Sequence, residues 1–246
     1  MEIVNYTDCL ECRDRSINTD YPNQCLFHCD IQPIHKLNTD NFLYFENIAD
    51  QKKELKLLTL HTSSSCSNPY VERNMYQPGG IQYTRKELLQ NARENFRRIK
   101  SIFGRRVDIA VENNNYYPTE AYQWVSDADF ISELVFENEI FFLFDIAHAK
   151  ITAHNKRINY RDYARDLPLD KTIQIHISGF SIDQYDLAFD AHDPPQEAEW
   201  AELKKFLSEK TRVKYLTIEC YEDKHALIES LKKARNIVNE LSGSVI

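Results

Sequence analysis

The chain has 246 residues, a formal charge of −8 and a pI of about 5.5. Its 42% hydrophobic and 28% charged residues are typical of a folded globular protein and exclude a disordered one. The acidic balance disfavours nucleic-acid binding, and no apolar segment is long enough for a membrane span or a secretory signal. We therefore expect a single cytoplasmic domain over residues 1–246.

Short β-rich runs alternate with helical patterns along the chain. Residues 2–6, 25–29, 55–60, 107–111, 140–144, 172–175 and 215–218 are predicted strands, and 187–189 is a short candidate for an irregular eighth. A capping box at Thr84 and Glu87 starts the clearest helix. Most of the runs are apolar on both faces, as in a parallel sheet covered by helices. The pattern predicts an α/β fold, a TIM-type (β/α)8 barrel, with a doubly wound open sheet as the alternative.

Acidic and histidine side chains stand where the predicted strands end. In a TIM barrel the carboxyl ends of all strands meet at one mouth, so we expect these side chains to converge. A group of carboxylates in such a place costs several kcal/mol unless cations neutralise it. The converging residues are His61, Glu112, Asp145, His148, His176, Asp190, His192 and Glu219.

This set offers more ligands than one ion needs, so the sequence predicts two or three metal ions. A mixed histidine and carboxylate shell without thiolate indicates iron, manganese or zinc, and iron if the site activates oxygen. Asn113 and Asn155 are candidates for binding substrate or orienting a ligand. His28 lies in mid-strand, His35 in a loop and His225 at a helix start, and for these three we expect structural roles.

The cysteines allow a second kind of metal site. Cys9 and Cys12, followed by Cys25 and Cys29, have the spacing of a zinc knuckle. However, Cys29 ends an apolar run that reads as a buried strand, and free cysteine is among the most buried residue types. We therefore expect reduced thiols and assign no function to Cys66.

Five segments in this order resemble one known family: VENNNYYP, FLFDIAHAKITAHN, PLDKTIQIHISG, DAHDPP and TIECYED. They are similar to the multinuclear non-haem iron-dependent oxidative enzymes, and the resemblance covers residues 105–225 well and the N-terminal third loosely. It implies a xylose-isomerase-like TIM barrel with two or three irons and O2 as co-substrate. It also implies oxidative modification of cysteine or another residue in a ribosomally made precursor peptide, as in methanobactin biosynthesis, with a small leader-binding partner protein.

The resemblance assigns ligand roles to the same strand-end residues. Members commonly carry a further ligating histidine between the equivalents of His61 and Glu112, but residues 62–111 contain none. The safer expectation is therefore a two-metal core that omits His61. Three alternatives remain: a divalent-metal sugar isomerase or epimerase, a metal-dependent endonuclease of the same barrel class, and a non-catalytic partner with a degenerate site.

Overall fold

The computed structural model describes residues 3–209 and 212–243. Their strands are β1 Glu11–Arg13, β2 Leu26–Cys29, β3 Leu57–Leu60, β4 Tyr70–Glu72, β5 Met75–Gln77, β6 Asp108–Glu112, β7 Phe141–Asp145, β8 Thr172–Ile177, β9 Gly179–Ile182, β10 Ala188–Asp193 and β11 Tyr215–Ile218. Seven of them are parallel and form one curved sheet in the order β1-β2-β3-β6-β7-β8-β11, and two antiparallel hairpins, β4-β5 and β9-β10, lie outside it.

Helices cover the outer face of the sheet. The predicted capping box is confirmed, since Thr84 accepts a hydrogen bond from the backbone N–H of Glu87 and the Glu87 carboxylate accepts one from the backbone of Thr84. None of the helices in the described ranges is both long and apolar enough to cross a membrane. The helices are α1 Thr39–Gln51, α2 Arg85–Phe103, α3 Ala128–Glu137, α4 Ile146–Lys156, α5 Tyr160–Asp166, α6 Glu197–Glu209 and α7 Lys224–Gly243.

Side chains of each strand alternate between the helical layer and the barrel interior. Outward-facing residues such as Phe27, Leu58 and Phe144 are buried in the main core. The interior is divided along its length. Its amino-terminal end holds a small apolar cluster of Leu26, Leu57, Ala110 and Ile173, while the polar residues lie at the other end.

The first predicted strand is wrong. Residues Ile3–Tyr6 form a 3-10 helix, and Glu2 lies outside the described residues. Lys232 of α7 lies over the Tyr6 ring at 5.4 Å, so this segment packs against the last helix instead of joining the sheet. The place next to β2 is taken by β1. A five-residue run with three apolar side chains does not distinguish a strand from a short helix that packs on another element.

The predicted eighth barrel strand is also wrong. Residues 188 and 189 belong to β10, which pairs with β9 beyond the carboxyl end of β8. Over the described residues the barrel therefore has seven strands, and its end strands β1 and β11 are joined by side chains. Arg13 contacts Glu219, and Glu11 accepts hydrogen bonds from Gln174 and Thr217. The predicted TIM-type barrel is confirmed in this nearly closed form.

Candidate metal centre

The structure brings all eight strand-end residues together at the carboxyl end of the barrel. Glu112 stands at the centre of the group. Its Oε2 atom lies 3.3 Å from Nδ1 of His61, and its Oε1 atom lies 3.4 Å from Nδ1 of His176 and 3.6 Å from Nδ1 of His148. The Glu112 side chain thus has imidazoles on both sides, and each carboxylate oxygen faces a different part of the cluster.

Local chain geometry explains how Asp145 and His148 meet. Asp145 ends β7 and caps α4, because its Oδ1 accepts a 2.7 Å hydrogen bond from the backbone N–H of His148. The cap leaves Oδ2 directed away from the helix, 3.9 Å from Nε2 of His148. The spacing of an aspartate three residues before a histidine therefore places both side chains at one helix start.

The β9-β10 hairpin delivers Asp190 and His192 from outside the barrel sheet. Asp190 Oδ2 lies 3.3 Å from Nε2 of His148, and His192 Nε2 lies 3.5 Å from Oε2 of Glu219. The strand has an irregular register between Asp190 and Asp193, and His192 adopts a φ of +49°. Non-glycine residues rarely take such a conformation, and the surrounding structure must offset its cost in free energy.

Sequence reasoning missed two side chains of this cluster, His28 and Glu11. His28 Nε2 lies 3.3 Å from Oε2 of Glu112, and Glu11 Oε2 lies 3.0 Å from Nε2 of His176. A structural role is expected for His28 in mid-strand, and the structure places its side chain beside Glu112. Strand alternation is the signal that could have identified His28. It follows Leu26 by two residues, so both side chains point into the barrel.

Distances within the cluster differ from those of ordinary ion pairs. Several exposed pairs of this chain are close, with 2.5 Å between Lys233 and Glu197 and 2.9 Å between Arg165 and Asp162. Most imidazole–carboxylate separations around Glu112 are 3.3–3.6 Å, longer than charge-assisted hydrogen bonds. Two donors in neighbouring positions of an octahedral ion are about 3 Å apart when each lies about 2.1 Å from the metal. The separations between donor atoms around Glu112 are therefore compatible with neighbouring ligands of the same metal ion.

Several buried atoms of the cluster have no hydrogen-bond partner. Among the described residues these include Nε2 of His28, Oδ2 of Asp145 and Nδ1 of His176. Each of these side chains is fully buried. A buried polar atom without a partner costs free energy, and a metal ion removes that cost. The donor set therefore fits metal ions, and four overlapping groups of three potential ligands lie within the cluster.

Protonation of the histidines affects the charge balance of the cluster. Burial raises the pKa of the Asp145 carboxyl to about 6. Burial also opposes protonation of His148, but the carboxylates of Asp145 and Glu112 raise its pKa well above the usual value. For Glu112 burial opposes ionisation, yet His148 and His28 hold its pKa well below the usual range. Divalent cations would replace these imidazole protons as the balancing charge.

The two residues predicted to bind substrate, Asn113 and Asn155, form side-chain hydrogen bonds with backbone groups. Asn113 is fully buried, and its amide donates to the carbonyl of Asp145 and accepts from the N–H of Asp145. Its own carbonyl oxygen lies 2.9 Å from Nδ1 of His148. Asn155 lies further along α4, where its amide donates to Tyr116 and exchanges hydrogen bonds with the backbone of Ala188. Substrate binding by either residue stays a prediction.

The cysteines stand apart from this cluster. All six are free thiols, and within the described part of the chain no cysteine joins a group of three potential ligands. Cys66 is buried, and its sulfur lies 3.1 Å from the hydroxyl of Ser64. The alternative zinc knuckle thus finds no support from the geometry.

Similar folds are found among solved structures of sugar epimerases. A D-tagatose 3-epimerase-like protein aligns with a TM-score of 0.54 and 15% identity, covering 89% of this chain and 79% of that one. An L-ribulose 3-epimerase aligns with a TM-score of 0.51 and 11% identity, covering 89% and 74%. At such identities the likeness concerns the fold alone, and it confirms the xylose-isomerase-like barrel.

Curated relatives have closer sequences. A UPF0276 protein of Nitrosospira multiformis is 29% identical over 143 residues, which are 58% of this chain and 48% of that protein. A UPF0276 protein of Vibrio parahaemolyticus is 27% identical over 125 residues, or 50% and 40% of the two chains. The chain thus spans less than half the length of these relatives. Residues 38–240 match the family model described as RiPP precursor modification enzyme MbnB/TglH/ChrH, and the chain therefore belongs to this family.

Proposed function

We propose that the protein is a multinuclear iron-dependent enzyme that uses O2 to modify a residue of a ribosomally made precursor peptide, with cysteine as the target. Family membership supports an enzyme acting on a peptide. The observation that carries the metal part is the set of buried, unpartnered donor atoms around Glu112. Buried polar atoms are normally hydrogen-bonded, whereas these lie near their neighbours in the cluster at separations longer than a hydrogen bond between charged groups.

The proposed ligands are the strand-end residues. Nitrogen and oxygen donors in this mixture suit iron, manganese and zinc, and the peptide-modifying family favours iron. Two or three ions match the number of donors. The proposed ligand set is His61, Glu112, Asp145, His148, His176, Asp190, His192 and Glu219.

Hydrogen bonds to neighbouring groups orient the proposed histidine ligands for metal binding. The carbonyl of Asn113 accepts from Nδ1 of His148, which directs Nε2 towards Asp190. Glu11 accepts from Nε2 of His176, which leaves Nδ1 facing Glu112. Such partners fix the ring orientation and raise the basicity of metal-binding histidines.

Bound iron would supply the redox chemistry with O2, while the chain binds the peptide and excludes water. Each O2 reduced to two waters removes four electrons and four protons from the peptide. His192 lies on an accessible side of the cluster, because this side chain is 32% exposed whereas Asp145 and His176 are fully buried. We expect the target residue to enter there.

The proposal includes a small partner protein that binds the leader of the precursor. It also places the reaction in the cytoplasm, where the six free thiols of the chain stay reduced. The partner protein rests on the family, and the compartment rests on the free thiols.

Anaerobic purification followed by loading with Fe(II) tests the proposal. A cysteine-bearing precursor peptide encoded beside the gene should stimulate O2 uptake and change in mass, and its cysteine-to-serine version should do neither. A colourless protein that holds only zinc or manganese and consumes no O2 with such peptides would contradict the proposal and favour an isomerase or nuclease.

A further inference from the structure

A cavity of about 350 Å³ lies at the seam between β1 and β11, the two end strands of the sheet. Within the described ranges β1 pairs with β2 and β11 pairs with β8, so each end strand has one edge without a strand partner. In a closed barrel these edges are paired. An unpaired edge presents backbone donors and acceptors to which an extended segment can add.

The two edges of the seam are not equivalent. On β1 the hydroxyl of Ser16 accepts a 2.8 Å hydrogen bond from the backbone N–H of Arg13 and donates a 2.9 Å bond to its carbonyl oxygen. A side chain therefore already occupies the end of this edge. Among the described residues no side chain bonds the backbone of β11, so its edge is the one open to a further strand.

The walls of the cavity are apolar. Leu216 and Ile218 of β11 line it together with Leu227 and Leu231 of α7. Ligand pockets span roughly 300–1,000 Å³, so this cavity is at the small end of the range. Its size suits a few residues of extended chain and not a folded partner.

One end of the cavity is cationic although the chain as a whole has a charge of −8. Arg13 and Arg15 line this end beside Tyr221. Arg13 contacts Glu219, but the exposed Arg15 forms no ion pair within the described part of the chain, and its guanidinium lies 5.8 Å from the centre of the Tyr221 ring. An arginine in this position favours a ligand that carries a carboxylate.

Tyr221 connects the cavity with the candidate metal centre. Its ring stacks on that of His192 with centroids 4.7 Å apart, and its hydroxyl donates a 2.8 Å hydrogen bond to Glu219. A peptide that runs along the seam would therefore leave it beside His192, on an accessible side of the cluster.

We infer that an extended segment of the precursor peptide binds in this seam as an added strand along β11, with apolar side chains in the cavity and an acidic side chain at Arg15. This docking site rests on the proposed function and lies outside its proposed metal ligands. The family model supplies the occupant, because a RiPP precursor is a peptide. Pairing with the strand edge would give affinity, while the cavity and Arg15 would select the sequence.

Hydrogen exchange in the presence of peptide tests the added strand. The probe is the cysteine-bearing precursor peptide encoded beside the gene, added to the Fe(II)-loaded protein without O2 so that no turnover occurs. Binding should slow exchange of the free-edge amides of β11 at least about tenfold. Protection of β11 that appears without peptide and grows with protein concentration would place a second copy of the chain in the seam and overturn the inference.

Two variants test the cavity and its charge. Leu227→Trp fills the cavity from α7, and Arg15→Glu reverses the charge at its end. Each should weaken peptide binding at least about tenfold in fluorescence anisotropy and leave iron per chain unchanged. Val238→Trp on α7 and Arg97→Glu on α2 are the matched controls, because both residues are exposed and lie outside the cavity.

Peptide variants and urea unfolding complete the experiment. Exchanging the acidic residue of the peptide for lysine should weaken binding to the parent and restore binding to Arg15→Glu. If Leu227→Trp unfolds at lower urea than the parent, the exposed Arg15→Glu variant decides. Unchanged exchange of β11, or equal affinities in variants and controls, would overturn the inference but leave the proposed function standing where the peptide still stimulates O2 uptake. A parent protein that neither binds nor oxidises the peptide would overturn both.

Discussion

The two ends of the barrel interior differ although the same strands build them. At the amino end Leu26, Leu57, Ala110 and Ile173 form a dry apolar cluster. Two residues further along β2 and β6, the inward side chains are His28 and Glu112. A step of two residues, about 7 Å along a strand, thus changes the interior from hydrocarbon to charge.

This division separates two tasks. Each fully buried leucine contributes about 1.5–3 kcal/mol to folding through the hydrophobic effect. Buried charged groups give no such gain, because their desolvation offsets their mutual attraction. The amino end therefore contributes to folding stability, and the carboxyl end holds the candidate metal ligands. Substitutions at the amino end should lower the free energy of unfolding, whereas substitutions at the carboxyl end should lower metal binding.

The largest effect is expected for Glu112→Gln at the charged end. Because both carboxylate oxygens of Glu112 face imidazoles of the cluster, the variant should lose at least one bound ion per chain and weaken the others more than about 100-fold. Metal analysis after desalting and competition with a chelator measure the loss. Glu199→Gln is the control, because Glu199 is equally buried but pairs with Lys150 outside the cluster. Equal metal loss in both variants would count against a special role for Glu112.

Leu57→Ala tests the apolar end. Leu57 is fully buried, and its truncation should lower the free energy of unfolding by about 2–5 kcal/mol through lost burial and the cavity left behind. Metal content per chain should stay at the parent value. Urea unfolding and metal analysis on the same preparations give both numbers. Loss of metal from a folded Leu57→Ala protein would show that the two ends are not separate.

Asn113→Ala should have an intermediate effect at the charged end. The change leaves the backbone N–H and carbonyl of Asp145 without their side-chain partner, and metal affinity should fall about 10–100-fold. Asn114→Ala is the matched control, since that side chain bonds the carbonyl of Ser63 instead. Chelator competition compares the variants, and a fall of the same size in both would indicate general loosening of the loop.

Much of this arrangement is predictable from the chain because parallel barrels align strand ends. Asp145 and His148 come together through a helix cap that sequence spacing reveals. The run at β7 and most of that at β3 are apolar on both parities, and this pattern indicates a sheet covered on both faces.

His28 and Glu11 escape prediction for a different reason. His28 lies within β2, and Glu11 begins β1, a strand that the sequence pattern did not predict. The inward direction of both depends on the register of β1 with β2 and β3. Likewise, Ile3–Tyr6 has strand composition but packs on α7, and β10 has strand geometry but leaves the barrel. Local propensity does not decide such cases, because tertiary contacts override it.

The smallest effect is expected for Cys9→Ser and Cys25→Ser at the apolar end. Both side chains pack beside the apolar cluster, and a hydrogen bond from the Cys9 thiol lowers the pKa of Cys25 to about 7. A serine hydroxyl can take over this hydrogen bond at a similar volume, so the free energy of unfolding should change by no more than about 1 kcal/mol. Metal content should not change, because neither sulfur approaches the groups around Glu112. Loss of a zinc ion from either variant would instead revive the zinc knuckle and place a second metal at the end of the barrel that we describe as dry.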